Sequence, residues 1–302
     1  MGDEGFGMGR EGSGMGDLVG AHVSTAGGLA LAPARGAAVG AAVIQLFTKT
    51  PNQWREPVIR DEEAAAFRAA VAACGIRAVV SHDNYLINLA SPDPAMWARS
   101  VQAFTAELAR CRILGIPSVV SHPGNHLGDR SAGLARNAAG YAGALAAVDG
   151  VAVLLEGTAG AGTSLGSTFL ELAELRDRVP ADLRSRVGVC LDTAHLHAAG
   201  YDLADGWDAL WDAFDRTVGL SHLQCLHLND SQAARGSRLD RHEWIGEGTI
   251  GPVPFRRVMR EPRFTQVVKI IETPKRDAPL RHDRRMLRRL RRYAEGASGP
   301  GG

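Results

Sequence analysis

Histidines, aspartates and glutamates recur in this chain at the ends of short apolar runs, a placement suited to holding metal ions. Six runs carry the pattern: AVVSH ending on His82, SVVSH on His122, VAVLLE on Glu156, VGVCLD on Asp192, LQCLH on His227 and VVKIIE on Glu272. Two local pairs add to them. In DTAH, Asp192 and His195 are three residues apart at a strand-to-helix turn, so one face can offer both. In DRH, Asp240 and His242 alternate across one residue and point the same way on an extended loop. Imidazole nitrogen and carboxylate oxygen are donors that zinc prefers, and hydrolytic sites keep a position open for water or substrate. Singly, a strand-end histidine is more often a hydrogen-bonded structural residue, and a buried acid is usually an ion-pair partner. Nine together on one rim are another matter, because unpaired charge buried there costs several kcal/mol apiece. Nine donors suffice for three metals if one carboxylate bridges.

For these residues to meet, the runs must be strands whose C-terminal ends converge. Continuous apolar runs of about four to eight residues are what strands buried on both faces look like. Strands are expected at residues 18–23, 42–47, 78–83, 118–123, 151–156, 187–192, 223–229 and 267–273, with helices clearest at 61–74, 94–114, 131–147, 168–179 and 207–218. Asp93 is placed to cap the helix that Pro94 starts. Eight strands with intervening crossovers predict an α/β fold, a single (β/α)8 TIM barrel with the metal site at the C-terminal mouth of the strands. An open doubly wound sheet is the alternative, but its ligands gather at one switch point rather than at six strand ends.

The barrel is expected over residues 18–295, between a Gly/Met-rich tail at 1–17 and a second tail at 296–302, both disordered. The first has no apolar core and is no secretory signal, and Met15 offers an alternative start. At 45% hydrophobic and 22% charged, the composition is that of a soluble globular protein, and no apolar stretch approaches a bilayer span. Four cysteines without a CxxC pair, two of them (Cys190 and Cys225) inside expected strands, point to a reducing cytoplasm. The net charge of +1 says nothing about partners. Two stretches break the rhythm. The polar, Gly-rich segment 230–251 has the length of a functional loop. The segment RHDRRMLRRLRRYA from Arg281 has an apolar seam of Met286, Leu287 and Leu290 beneath a basic face; it is a solvated final helix or a DNA contact. His22 is placed to orient a ligand or touch substrate, whereas His126, His197 and His222 lack matching geometry.

With these residues assembled, the chain resembles the endonuclease IV family of zinc-dependent apurinic/apyrimidinic endonucleases. The matching segments are GAHVSTAGG, LFTK with Gln53-Trp54, SHDNYLINLASP, HPG from His122, LLEGTAGAG, VGVCLDTAH with AAGYDL, and LHLNDS through GSRLDRHEWIGEGTIG to IIET. Together they cover about residues 18–290. The resemblance implies three zinc ions, with manganese possible at one site. His82, His122 and Glu156 would hold one. Glu156 as bridge, with Asp192, His227 and Glu272, would hold the second, and His195, Asp240 and His242 the third. It implies a DNA-repair hydrolase in which a metal-bound hydroxide attacks the phosphorus 5′ to an abasic site in duplex DNA. The products would be a 3′-hydroxyl and a 5′-deoxyribose phosphate, with Glu156 and Glu272 the central catalytic carboxylates.

Extruding a nucleotide without a base costs less than extruding a normal one, and loop side chains would fill the gap. Tyr85, Gln53 and Trp54 occupy the corresponding loops, and Lys49, Arg238 and Arg241 are candidates for phosphate contacts. Three positions depart from the family pattern, one of them His197, an extra imidazole in DTAHLHAAG without an assigned role. Gly157 stands where Asn is common, and Asn52 where a basic residue is frequent. A monomer is the default. The main rival is a metal-dependent sugar isomerase or epimerase on the same type of barrel, which has no use for the DRH pair. A non-catalytic lesion binder or metal store would tend to lose ligands.

Overall fold

A computed structural model describes residues 18–296 of the chain. The tails expected at 1–17 and 296–302 lie, Gly296 apart, outside the described residues. Eight strands carry the fold: β1 (Val19–His22), β2 (Val43–Leu46), β3 (Ala78–His82), β4 (Ser118–Ser121), β5 (Ala152–Gly157), β6 (Val187–Asp192), β7 (Leu223–His227) and β10 (Val268–Ile271). All are parallel, and they close into a barrel in the order β1-β10-β7-β6-β5-β4-β3-β2. Two short strands, β8 (Asp230–Ser231) and β9 (His242–Glu243), form a separate antiparallel pair inside the long segment before β10. The outer helices are α1 (Ala32–Val39), α2 (Asp61–Ala73), α3 (Pro94–Leu114), α4 (Arg130–Ala147), α5 (Phe169–Arg178), α6 (Ala181–Arg184), α8 (Trp207–Thr217), α9 (Pro252–Arg260) and α10 (Pro279–Ala294), while the short, buried α7 (Thr193–Ala199) follows β6 at the mouth. Closure excludes the open doubly wound sheet.

The strands are shorter than expected by one or two residues at most ends. His122 and Glu272 therefore stand just past β4 and β10, where the chain is leaving the sheet. Asp93 does cap α3, accepting from the backbone N–H of Ala95 at 2.9 Å and of Met96 at 3.4 Å.

Alternate strand residues face opposite ways, and the barrel uses both faces. The outer apolar residues pack against helices in one large cluster that includes Phe67, Phe104, Trp211, Phe214 and Phe255. The inner faces meet in a small buried layer made of Val43, Val80, Val120, Leu154, Cys190, Cys225 and Ile270. Each of these lies two residues before a polar side chain: Gln45, His82, His122, Glu156, Asp192, His227 and Glu272. The period of two therefore stacks a polar layer directly on an apolar plug. On β1 the corresponding positions are Gly20 and His22, and a Cβ at Gly20 would lie 1.6 Å from the Val43 carbonyl oxygen. Only glycine fits that approach of β1 to β2. The cysteines in the plug are fully buried and free.

Candidate metal centre

The segments that supply the donors converge from opposite sides of the barrel. His82 Nε2 lies 3.1 Å from Glu156 Oε2, and His122 Nε2 lies 2.9 Å from the same oxygen. His227 Nδ1 is 3.1 Å from the other oxygen, Glu156 Oε1, and 3.3 Å from Glu272 Oε2. Asp192 Oδ2 faces the same nitrogen at 3.9 Å. On the far side His195 Nε2 is 3.3 Å from Asp240 Oδ2, and His242 Nε2 is 3.1 Å from Asp240 Oδ1 and 3.5 Å from Asp192 Oδ2. One chain of contacts thus joins all nine expected donors. Three groups each bring their ligand atoms within 4.8 Å of one another: His82, His122 and Glu156; Glu156, Asp192, His227 and Glu272; and Asp192, His195 and His242. Asp240 joins the last through its two imidazole neighbours. The thiols of Cys190 and Cys225, in the apolar plug just beneath, also come within 4.8 Å of a ring nitrogen of His227.

The imidazoles are oriented from behind, as metal ligands usually are. His82 Nδ1 donates to the Asp83 carbonyl oxygen at 2.9 Å, which turns Nε2 toward Glu156. His195 Nδ1 donates to the Gly157 carbonyl oxygen at 2.9 Å, which aims Nε2 at Asp240. At His227 the ring is reversed. Nε2 meets Gln45 Oε1 at 2.8 Å, and Nδ1 faces the carboxylates. Asp192 caps α7, accepting from the N–H of Ala194 at 2.6 Å and of His195 at 3.1 Å, so the helix carrying His195 is fixed by another donor of the site. Asn229 ties two carboxylate segments together. Its Nδ2 donates to Asp192 Oδ2 at 2.7 Å, and its Oδ1 accepts from the Glu272 N–H at 2.8 Å.

The long segment that carries Asp240 and His242 is pinned rather than loose. β8 pairs with β9, the Gln232 N–H donates to the Arg241 carbonyl oxygen, and the Arg238 N–H donates to the Ala198 carbonyl oxygen. The fully buried Asp230 carboxylate accepts from the N–H groups of Gly246 and Ile250.

Electrostatically the centre is a well for positive charge. Burial alone would raise the Glu156 carboxyl, but His122 and His227 hold it well below the usual carboxylate range. Burial likewise works against Glu272, which is held down by His227 and His22. Burial should lower the His82 imidazole, yet Glu156 and Asp83 push it up to about 9; Asp192 and Asp240 do the same to His242. Buried carboxylates that draw protons onto their neighbours in this way are disposed to take a cation. The His242 Nε2 atom adds a geometric test of fit. It is buried and has no hydrogen-bond partner among the described residues, although Asp240 Oδ1 is only 3.1 Å away. Close approach without a hydrogen bond is the arrangement of donors that share a third atom. The residues therefore fit a metal centre of nitrogen and oxygen ligands.

Sequence reasoning passed over Gln45. It is fully buried in β2, two residues after the plug residue Val43. Besides His227 it contacts Glu272 Oε1 through Nε2 at 2.6 Å and His22 Nδ1 at 3.0 Å. The signal was available: a lone amide inside the apolar run VIQLF, in phase with the ligand layer. His22 touches Glu272 Oε1 at 3.2 Å, the orienting placement anticipated for it. His197 instead contacts the Thr249 hydroxyl, His222 contacts Arg176, and His282 stacks on Trp244.

The expected DNA-facing residues divide. Tyr85 is 62% exposed at the rim, its ring edge-on to Phe47 at 5.2 Å. Gln53 is exposed in the adjoining loop, and its carbonyl accepts from Asn84 Nδ2 at 2.7 Å, which couples the two loops. Trp54 packs against the core with the Arg99 guanidinium 4.4 Å above its ring. Lys49 does not stand free. It is 8% exposed and its ammonium lies 2.6 Å from Glu56, in a network with Arg110 and Glu107 that anchors this loop from below. Arg238 and Arg241 are exposed on the segment that bears Asp240, and Arg238 adopts φ 57°. A cavity of about 140 Å³ opens beside the centre between His122, His195 and Asp240, walled by Thr158, Ala159 and Ser164.

Residues 33–290 match the model of a protein family described as the xylose isomerase-like TIM barrel. The chain is 48% identical over 269 residues to the protein named Probable endonuclease 4 of Geobacter sulfurreducens, covering 87% of this chain and 90% of that one. It is 46% identical over 285 residues to the Chloroflexus aurantiacus protein of the same name, covering 92% and 98%. Among solved structures it superimposes on endonuclease IV from Thermus thermophilus with a TM-score of 0.82, at 37% identity, over 93% of this chain and 100% of that one. A D-tagatose 3-epimerase-like protein shares the fold, with a TM-score of 0.69 at 17% identity, over 92% of this chain and 98% of that one.

Proposed function

This chain belongs to the endonuclease IV family of the xylose isomerase-like TIM barrels, and from that premise we propose how it works as a zinc-dependent DNA-repair hydrolase. Its substrate is duplex DNA containing an apurinic/apyrimidinic site. It hydrolyses the phosphodiester 5′ to that site and leaves a 3′-hydroxyl and a 5′-deoxyribose phosphate. The observation that carries this reading is the chain of nine nitrogen and oxygen donors around Glu156, whose two oxygens face different sets of imidazoles. His82, His122 and Glu156 would hold one zinc ion; Glu156, Asp192, His227 and Glu272 a second; His195, Asp240 and His242 a third, with manganese an alternative at one position. When bound, such ions supply Lewis acidity to the phosphate and acidify water toward neutrality.

The chain's own residues supply position. Gln45 and the carbonyl groups of Asp83 and Gly157 fix the imidazoles before substrate arrives, so little reorganisation remains for the reaction itself. The cavity beside His122 and Asp240 gives an extruded sugar a place out of the stack. Tyr85 and Gln53, on two loops joined through Asn84, are the wedge that fills the gap. Arg238 and Arg241 contact phosphates, while Lys49 acts through the loop it anchors. The enzyme acts as a monomer in the cytoplasm, and no described helix is long and apolar enough to cross a membrane. Sugar epimerisation is the second reading, favoured only by the shared fold.

Glu156→Gln tests the bridging role. Cleavage of an abasic duplex should fall by roughly 10³-fold, bound zinc should fall with it, and circular dichroism should be unchanged. A variant that cleaves at the wild-type rate removes Glu156 from the centre.

A further inference from the structure

We propose that the outer face of α10 is a second DNA-contacting surface, which holds the phosphate backbone of duplex DNA away from the lesion. The inference rests on the nuclease reading above for its choice of polyanion. α10 carries seven arginines and one acid, Asp283, in a chain whose net charge is only +1. Asp283 is buried and paired with Lys275 at 2.7 Å, so it does not offset the outer face. Arg281, Arg284, Arg285, Arg288, Arg291 and Arg292 line one shallow groove there. Their spacing of three and four residues puts a guanidinium on that face at every turn. The carboxylates near it are Glu295 at the far end and Asp277 ahead of the helix.

Three of the six are anchored. Arg284 donates to the Ala38 carbonyl oxygen, Arg291 to that of Gly40, and Arg285 pairs with Glu247. Arg281, Arg288 and Arg292 make no hydrogen bond or ion pair among the described residues. Free guanidiniums held on an anchored helix are a preset row of phosphate donors. The sixteen residues of α10 extend about 24 Å, the length of roughly seven base-pair steps along a duplex. A membrane would require an apolar side to enter it, and here Met286, Leu287, Leu290 and Tyr293 are all buried against the barrel.

The row is continuous with the metal centre. Trp244, two residues from His242, donates through Nε1 to the Pro274 carbonyl oxygen at 3.0 Å. Its ring stacks on His282 of α10 at 4.5 Å and carries the guanidiniums of Arg276 at 4.0 Å and Arg285 at 4.6 Å. The rim of the mouth and the first turn of α10 are thereby one basic, aromatic-braced surface.

The test compares wild type with the triple variant Arg281→Gln, Arg288→Gln, Arg292→Gln, which leaves every anchoring contact of α10 in place. Fluorescence anisotropy with a lesion-free duplex is measured over a series of KCl concentrations, beside nicking of a short abasic duplex. The variant should bind lesion-free duplex roughly tenfold more weakly at low salt, and its log–log salt slope should be shallower by about 3. Both proteins should nick the short abasic duplex at the same rate. An unchanged slope and affinity would overturn the proposal, as would wild-type binding to anionic phosphatidylserine vesicles but not to duplex. If neither protein nicks while the slope still falls, the second surface stands and the nuclease reading fails.

Discussion

Gln45 orients two donors of the centre, His227 and Glu272, and touches His22 beside them. Its carboxamide accepts from one imidazole and lies against a carboxylate and a second imidazole, all in the polar layer above the plug. The side-chain oxygen of Gln45 can only accept, so the Nε2 of His227 carries a proton, which leaves Nδ1 as the atom that faces the carboxylates and would give its lone pair to a metal. Gln45→Leu removes that constraint and leaves Nε2 without its partner. Zinc release to a chelator should then be about 10- to 100-fold faster or more complete, with little change in the melting temperature of the metal-saturated protein. Gln45→Glu, which keeps an acceptor for His227 but opposes Glu272, should fall between the two. Wild-type metal retention in Gln45→Leu would show that His227 is held by the carboxylates alone.

At the scale of elements, the strand period explains both the site and its support. Residues two apart share a face, so the plug residues Val80, Val120, Leu154, Cys190, Cys225 and Ile270 fix the height of the donors above them. One strand carries a charge on its other register. Lys269 of β10 is 1% exposed, and its ammonium donates to the carbonyl oxygens of Phe264 at 2.6 Å and Val267 at 3.0 Å. Burial lowers this ammonium to about 8. Its folded value lies below its unfolded one, so the unfolded chain binds the extra proton between about pH 8 and 10.5. The burial penalty is thus complete below pH 8 and is relieved as pH rises toward the unfolded value. Lys269→Met should gain stability at pH 7 relative to wild type, by an amount on the order of 1–3 kcal/mol, and the gain should shrink toward pH 10 in urea titrations. A difference independent of pH would show that Lys269 is not the source.

At the scale of the whole molecule, the barrel was legible because six apolar runs end on ligands, and no open sheet brings six strand ends together. The donors His82, Glu156, Asp192 and His227 could be placed from sequence because each is the last or next-to-last residue of a strand whose inward phase its plug residue sets. Gln45 was not, because an amide inside an apolar run resembles a packing irregularity until its partners are known. The commitment of Lys49 to Glu56 was hidden for a similar reason: the network under its loop joins residues from 48 to 110 that only the fold brings together. The β8–β9 pairing was also out of reach, since two-residue strands carry no periodicity.

The most direct measurement is nicking of a duplex carrying one tetrahydrofuran abasic analogue, in magnesium-free buffer containing EDTA. The analogue resists β-elimination, so any cut must be hydrolytic. The centre described above predicts a single cut 5′ to the analogue with a 3′-hydroxyl end, persisting without added metal because ions held there would be gripped by ligands that are mostly buried. A duplex left intact even after zinc is restored, alongside epimerisation of a ketose by the same preparation, would contradict it.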